Sequence, residues 1–281
     1  PVPASRETLL YYMVFLSKSL CTSSISCYMN IIRNMHLEMG YQNPLKDFEL
    51  SLLFKGIKRQ LGKPPKQKLP ITVDILSDIR NQLDFDGSKD RAFWCACVIG
   101  FLGFFRKSTL LPKGKNDCLK ALTFQDLHFV KDGSGFTVTV RHTKTIQFGQ
   151  RVLSVPFVKC ATSLLCPVNA LMLMLNGIKH LEIGRHQPLF SFVNSSGQLC
   201  FLNHSDFVHR LKLVLNLCGY DEKLYSGHSF RRGGCSYAFG LGVNPLLIKL
   251  RGDWRSDAYE RYVNVTRDQQ ESVARVLCNS L

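Results

Sequence analysis

The sequence predicts a mainly α-helical protein of two domains carrying one small antiparallel β-sheet. Three observations predict it. Apolar residues recur at three- and four-residue spacing along most of the chain. Strict alternation is confined to one stretch, where Phe136, Val138 and Val140 alternate with Thr137, Thr139 and Arg141. Between the helical patterns lies Gly62-Lys63-Pro64-Pro65-Lys66-Gln67-Lys68-Leu69-Pro70, whose prolines and glycine read as a linker. The expected organisation is a helical domain over 1–62, a linker over 63–70 and a second domain over 71–281, and 281 residues suffice for two domains.

In chain order, Ser5 is placed to cap a first helix carrying Leu9, Tyr12, Met13 and Leu16. A second helix carries Ile25, Tyr28, Ile32, Met35 and Met39 and stops at Gly40. Asn43-Pro44 is a turn, and a third helix over 48–61 presents Leu52, Leu53 and Ile57. After the linker, Thr72 caps a helix through Ile75, Ile79 and Leu83. Arg91 to Phe105 is almost wholly apolar and reads as a buried helix that delivers Arg106 at its end. A cation after so apolar a run must find an anion or reach water. Residues 121–157 form the expected sheet, with turns at 131–135 and after Val140. Pro167 opens one scaffold helix, and Ser205 caps another that stops at Gly219. Gly233-Gly234, early in the next helix, costs about 1 kcal/mol per glycine relative to alanine. Such a cost implies close backbone approach, to another helix or to a ligand such as DNA. Asn244-Pro245 starts a short helix that Gly252 ends, and Thr266-Arg267-Asp268-Gln269 opens a last one with Val273, Val276 and Leu277 on its face.

The net charge of +15 is the strongest compositional signal and points to a polyanion partner. Six Lys/Arg and no acid fall between Ser51 and Val73, so Lys63, Lys66 and Lys68 are candidate phosphate contacts, against the common reading of a solvated face. No apolar run approaches a membrane span, so no membrane partner is expected. The chain begins at Pro1 without a Met and reads as a fragment with no visible signal peptide. The eleven cysteines have no Cys-x-x-Cys pairing and no zinc spacing, so they read as mostly buried free thiols of a reducing compartment. No clustered acids accompany the basic motifs, which disfavours a metal nuclease, and no metal is expected.

The chemistry concentrates in 226–263. His228 and Arg231 are three residues apart and share a helix face. A proton-shuttling His beside a phosphate-clamping Arg is equipment for phosphoryl transfer, and a nearby Tyr could supply the nucleophile. The bland reading is a buried His, helix-end arginines and core aromatics. Gly227-His228-Ser229-Phe230-Arg231-Arg232, a helix, then Gly252-Asp253-Trp254 and Tyr262 together resemble the C-terminal half of the tyrosine recombinases, the phage-integrase family. That family reads His-x-x-Arg, then His or Trp, then the nucleophilic Tyr. Trp254 with an interval of eight to Tyr262 resembles recombinases of eukaryotic mobile elements, such as tyrosine-recombinase retroelements and cryptons.

The resemblance implies a helical core-binding domain and a catalytic domain that close around DNA as a clamp, and strand exchange without metal or nucleotide cofactor. It implies duplex DNA as partner, a homotetramer on two DNA sites, and an intracellular location, nuclear if the host is eukaryotic. By family position, Arg106 and Arg231 bind the two non-bridging phosphate oxygens, Tyr262 attacks, His228 assists its proton transfer, and Lys144 protonates the leaving 5′ oxygen. Lys144 lies in His142-Thr143-Lys144-Thr145, similar to the Ser-Lys-Thr of eukaryotic members. Trp254 packs on the site and offers its indole hydrogen to the phosphate. Arg232, where many relatives carry a second His, is expected to contact backbone phosphate. Thr109 stands where the family often has an acid, a departure that bears on how Arg106 is oriented. Two alternatives stay open: a domesticated DNA-binding module without activity, and a topoisomerase of the same chemistry.

Overall fold

The second domain is organised by one apolar helix. The computed structural model describes residues 2–62, 67–160, 162–263, and Arg267, Glu271, Ser272, Arg275 and Cys278. Within it, Ser88–Leu102 is buried from Asp90 through Phe101, with only Arg91 partly exposed. A helix apolar on every side has no solvent face, so it must be wrapped. Its neighbours are a helix over Pro167–Asn176, a helix over Gly227–Gly240 and a strand over Ser191–Val193.

The elements are α1 (Arg6–Ser17), α2 (Thr22–Glu38), α3 (Phe48–Leu61), α4 (Val73–Asn81), α5 (Ser88–Leu102), α6 (Lys107–Leu110), β1 (Leu127–Phe129), β2 (Gly135–Val140), β3 (Leu153–Val158), α7 (Pro167–Asn176), β4 (Ser191–Val193), β5 (Leu199–Phe201), α8 (His204–Leu217), α9 (Gly227–Gly240) and α10 (Pro245–Arg251). Contacts divide the chain into two units, Pro1–Gln67 and Lys68–Leu281, so the division falls within the stretch read as a linker.

The first unit is α1–α3 around Leu9, Met13, Leu16, Ile25, Met29, Leu50 and Ile57. Ser5 and Asp47 cap α1 and α3 through side-chain oxygens. The expected α2 stripe is rotated: Tyr28, Met35 and Met39 are exposed, while Met29 and His36 are buried. His36 reaches inward because both ring nitrogens have backbone partners, the Ile32 carbonyl at 2.8 Å and the Ala4 N–H at 3.0 Å. On α3, Leu52 is exposed and Leu50 takes its place in the core.

In the second unit, Thr72 caps α4 as expected. The three-stranded sheet runs β1-β2-β3, all antiparallel, with Val138 opposite Leu127 and Val155. Phe136 and Phe157 stack at 4.9 Å on its buried face. A second, two-stranded sheet, β4-β5, was not expected, because its three-residue strands are too short to show alternation. The cap of α8 is Asn203 rather than Ser205: its Oδ1 accepts from the N–H groups of both Ser205 and Asp206. Gly233 and Gly234 are places of backbone approach. A Cβ on either would lie 1.8 Å from the Ile71 carbonyl oxygen or 1.9 Å from that of Phe101. The pressure comes from other backbone within the unit.

All eleven cysteines are free, but only Cys95, Cys97, Cys166 and Cys235 are buried, so their scatter among apolar neighbours overstated burial. No described helix is long and apolar enough to cross a membrane. Thr266, Asp268, Gln269, Val273, Val276 and Leu277 lie outside the described residues, as do Lys63 and Lys66.

Candidate active site

Helix α5 ends at Gly103, and Phe104 turns the chain with φ +52. That turn directs the Phe104 carbonyl at Arg231 and makes Arg106 the N-terminal cap of α6. Arg106 is half-buried, and its positive charge depresses the pKa of both His228 and Arg231. The end of the apolar helix thus sets its cation against the His-x-x-Arg motif. Thr109 is buried and donates its backbone N–H to the Arg106 carbonyl at 2.9 Å.

Helix α9 begins in a reciprocal cap between Ser226 and Ser229, which fixes the first turn that carries His228. One turn on, Arg231 is only 2 % exposed. Its guanidinium donates to the carbonyls of Phe104 and Gly252, the latter at 2.6 Å, and its buried Nε has no hydrogen-bond partner among the described residues. It lies 3.7 Å over the Trp254 ring, and 5.3 Å from the centre of the Tyr262 ring. Burial, then the charge of Arg106, pushes Arg231 down to about 9, still cationic at neutral pH. Its hydrogen-bond partners are neutral carbonyls, so the buried positive charge favours an arriving anion.

His228 keeps an exposed edge, but partial desolvation, then the charges of Arg231, Arg106 and Lys107, pushes it below its ordinary 6.5. The imidazole is therefore neutral at neutral pH and able to accept a proton. Trp254 is buried, and its ring occupies the space above Gly252, where a Cβ would sit 1.7 Å from it. A short 3₁₀ helix over Asp257–Arg261 then brings round Tyr262, whose ring is 5.3 Å from that of Trp254 and whose carbonyl accepts from Ser236 at 3.0 Å. Tyr259 packs on Trp254 more remotely, at 6.3 Å.

The six residues singled out for chemistry thus fall into two groups. Arg106, His228, Arg231, Trp254 and Tyr262 come together. Lys144 is exposed in the loop between β2 and β3, and it is the loop that docks. Asp253, 5 % exposed, accepts from Thr143 at 2.7 Å, from Thr145, and from Arg151. Arg255 donates to the Thr145 carbonyl at 2.9 Å. Of the candidate phosphate contacts in the described residues, Lys68 donates its ammonium to the Lys223 carbonyl, and Arg232 is half-buried on α9 beside Arg231.

Sequence reasoning missed Asp253, Arg251 and Lys107. The signal for Asp253 was its place between Gly252 and Trp254, since Asp is among the few residues that tolerate φ +56. Arg251 ties α5 to β3 by donating to Leu102 and Pro156 carbonyls at 2.8 and 3.1 Å. Lys107 lies over Gly227, where a Cβ would stand 3.0 Å from its side chain. A cavity of about 440 Å³ shares Thr143 and Ile146 with the Lys144 loop and is lined by none of the six. Among the described residues no group of three or more His, Cys, Asp or Glu could hold a metal ion.

No protein-family model matches the chain. Among curated proteins it is similar to an integrase/recombinase described as a XerD homolog from Selenomonas ruminantium, 28% identical over 280 residues, covering 95% of this chain and 76% of that protein. Among solved structures it is similar to the XerH site-specific recombinase bound to a palindromic difH substrate, with TM-score 0.59 and 11% identity over 98% of this chain and 70% of that one. It is also similar to the Tn1549 transposon integrase in complex with circular intermediate DNA, with TM-score 0.58 and 16% identity over 97% of this chain and 85% of that one.

Proposed function

We propose that the chain is a tyrosine recombinase, as its similarity to the integrase/recombinase relative and to the solved recombinase structures supports, and that it cuts and rejoins duplex DNA through a 3′-phosphotyrosine intermediate, as the site-specific recombinase or integrase of a mobile element. One observation carries the reading above the others. A fully buried arginine lies over a tryptophan ring, close to a tyrosine ring, with neutral carbonyls as its partners and a second arginine's charge beside it.

In this reading Arg231 and Arg106 neutralise the non-bridging oxygens as the pentacoordinate phosphate forms, in a site already organised for that charge. The phenolic oxygen of Tyr262 bonds to phosphorus while its proton passes to neutral His228. The P–O5′ bond breaks, and O5′ takes a proton from Lys144, leaving a free 5′ hydroxyl and a phosphotyrosyl 3′ end. Reversal with an incoming 5′ hydroxyl rejoins the strand. Trp254 supports the Arg231 plane and offers its indole hydrogen to the phosphate. Arg232 and the linker lysines Lys63, Lys66 and Lys68 contact backbone phosphates. Four protomers on two duplex sites form the active assembly, and if the host is eukaryotic the substrate lies in the nucleus. The Trp254-to-Tyr262 interval of eight supports an element of the eukaryotic type.

Duplexes nicked a few nucleotides 3′ of the scissile phosphate release the short fragment that bears the new 5′ hydroxyl and so trap the adduct. Wild type and Tyr259→Phe are expected to form a covalent DNA adduct in EDTA, and Tyr262→Phe to bind the same DNA without one. An adduct mapping to Tyr259, or persisting in Tyr262→Phe, would overturn the assignment. Binding with no adduct in any variant would leave a DNA-binding module without activity.

A further inference from the structure

Residues Gly252 to Arg255 hold two different parts of the molecule by turns. The Gly252 carbonyl accepts from Arg231 at 2.6 Å, and the Trp254 ring lies 3.7 Å beneath the same guanidinium. The alternate positions face the loop that carries Lys144. Asp253 takes Thr143 and Thr145 on one carboxylate oxygen and Arg151 on the other, and Arg255 donates to the Thr145 carbonyl. The left-handed backbone at Asp253, φ +56, accompanies this division.

The loop itself is a tight turn built on Thr143. Its hydroxyl donates to Asp253 and accepts the N–H groups of Thr145 and Ile146, at 3.1 and 3.0 Å. Lys144 stands between the two threonines that Asp253 grips. Burial pushes the Asp253 carboxyl up. The hydrogen bonds from Thr145, Thr143 and Arg151 outweigh that and hold it below its ordinary value, so it grips as an anion.

We propose that Asp253 is a positioning residue for leaving-group protonation: it locks the Thr143-Lys144-Thr145 turn to the segment that seats Arg231, so that proton donor and phosphate clamp share one frame. The inference rests on the recombinase reading and on Lys144 as the proton donor. Its mechanical content is separate from both. A frame shared by four residues keeps the Lys144 backbone from drifting while the phosphate is held, and positioning errors near 1 Å weigh heavily on rate.

The test replaces the bridging 5′ oxygen of the scissile phosphate by sulfur. A thiolate leaves without a proton, because a thiol has a pKa near about 8.5 where an alcohol's is far higher. Single-turnover adduct formation is measured for wild type, Asp253→Asn, Lys144→Ala and Arg231→Lys on both substrates. Asp253→Asn keeps the volume but loses the anion and one acceptor. It is expected to slow cleavage of the oxygen substrate by about 100-fold, within the usual reach of general-acid catalysis, and to cleave the sulfur substrate nearly as fast as wild type. Lys144→Ala should show the same rescue, and Arg231→Lys should be slow on both. Thr145→Val cuts the same contact from the exposed loop and should reproduce the pattern even where Asp253→Asn fails to fold. Equal slowing of Asp253→Asn and Thr145→Val on both substrates, or no slowing on either, would overturn the proposal. A Lys144→Ala defect that sulfur does not rescue overturns the proton-donor assignment and the inference with it. A wild type that forms no adduct with either substrate overturns the recombinase reading itself.

Discussion

In the proposed reaction Arg231 serves both the phosphate and the packing, and a lysine separates the two. Arg231→Lys keeps one charge but loses the planar fork that spans the Phe104 and Gly252 carbonyls and lies on Trp254. We expect DNA binding to change little and adduct formation to fall by about 100- to 1000-fold, the usual consequence of removing a fixed donor from a developing charge. Quench-flow cleavage against filter binding checks it. His228 adds a pH dependence with a definite sign. Its pKa lies below the ordinary 6.5, so the imidazole proposed as proton acceptor is neutral at pH 7 and becomes protonated only in more acid solution. Cleavage by wild type should hold from neutral pH down to about 6.5 and fall below it. Folding stability should move the same way. A histidine harder to protonate folded than unfolded leaves the native state less stable as pH drops through 6.5 and below. His228→Asn should be slow and should lose this acid limb, which a pH–rate profile reads out.

At the scale of elements, the site depends on how closely α9 approaches α5. Gly234 touches the last turn of α5 so closely that a Cβ would lie 1.9 Å from the Phe101 carbonyl oxygen. Gly234→Ala must therefore push α9 away and is expected to destabilise the fold by about 3 kcal/mol, the upper part of the overpacking range. It should also slow cleavage, because Arg231 rides on the same helix. Gly56 in α3 is the contrast, since an added Cβ there meets nothing within 4 Å. Gly56→Ala should stabilise its helix by about 0.5–1 kcal/mol. Urea midpoints of the two variants measure both effects. The hairpin belongs at this scale too: β2 and β3 are ordinary paired strands, but the loop between them is ordered by contacts from Asp253 and Arg255, about a hundred residues away in sequence.

For the whole molecule the governing quantity is the net charge of +15. If binding neutralises many phosphates, the logarithm of the affinity for duplex DNA falls linearly with the logarithm of salt concentration, by about 0.9 per phosphate contacted. Fluorescence anisotropy between low and physiological ionic strength should give a steep slope. A flat one would remove the polyanion partner.

The sequence by itself determined the helical class, the three-stranded hairpin region and the grouping of His228, Arg231, Trp254 and Tyr262 in one short stretch. Those features are local: apolar periodicity, Pro and Gly punctuation, and residue types at fixed spacing all act within a few turns of chain. It also supplied Arg106, because a cation after an apolar run stands out in one dimension. The tertiary structure alone decided what those residues touch. Burial of Met29 and His36 in place of Tyr28 and Met35 on α2 depends on which neighbours arrive, and periodicity over one helix leaves its rotation free by a residue or so. The strands of β4 and β5 are too short to announce themselves. Asp253 is the sharpest case. A lone acid after a helix-ending glycine reads as a solvated loop residue. It is buried only because Thr143, Thr145 and Arg151 return to it across more than a hundred residues of chain. Hydrogen bonds over that separation follow from tertiary packing, as Arg251 at the end of α10 donates to the Pro156 carbonyl of β3, which no local pattern encodes.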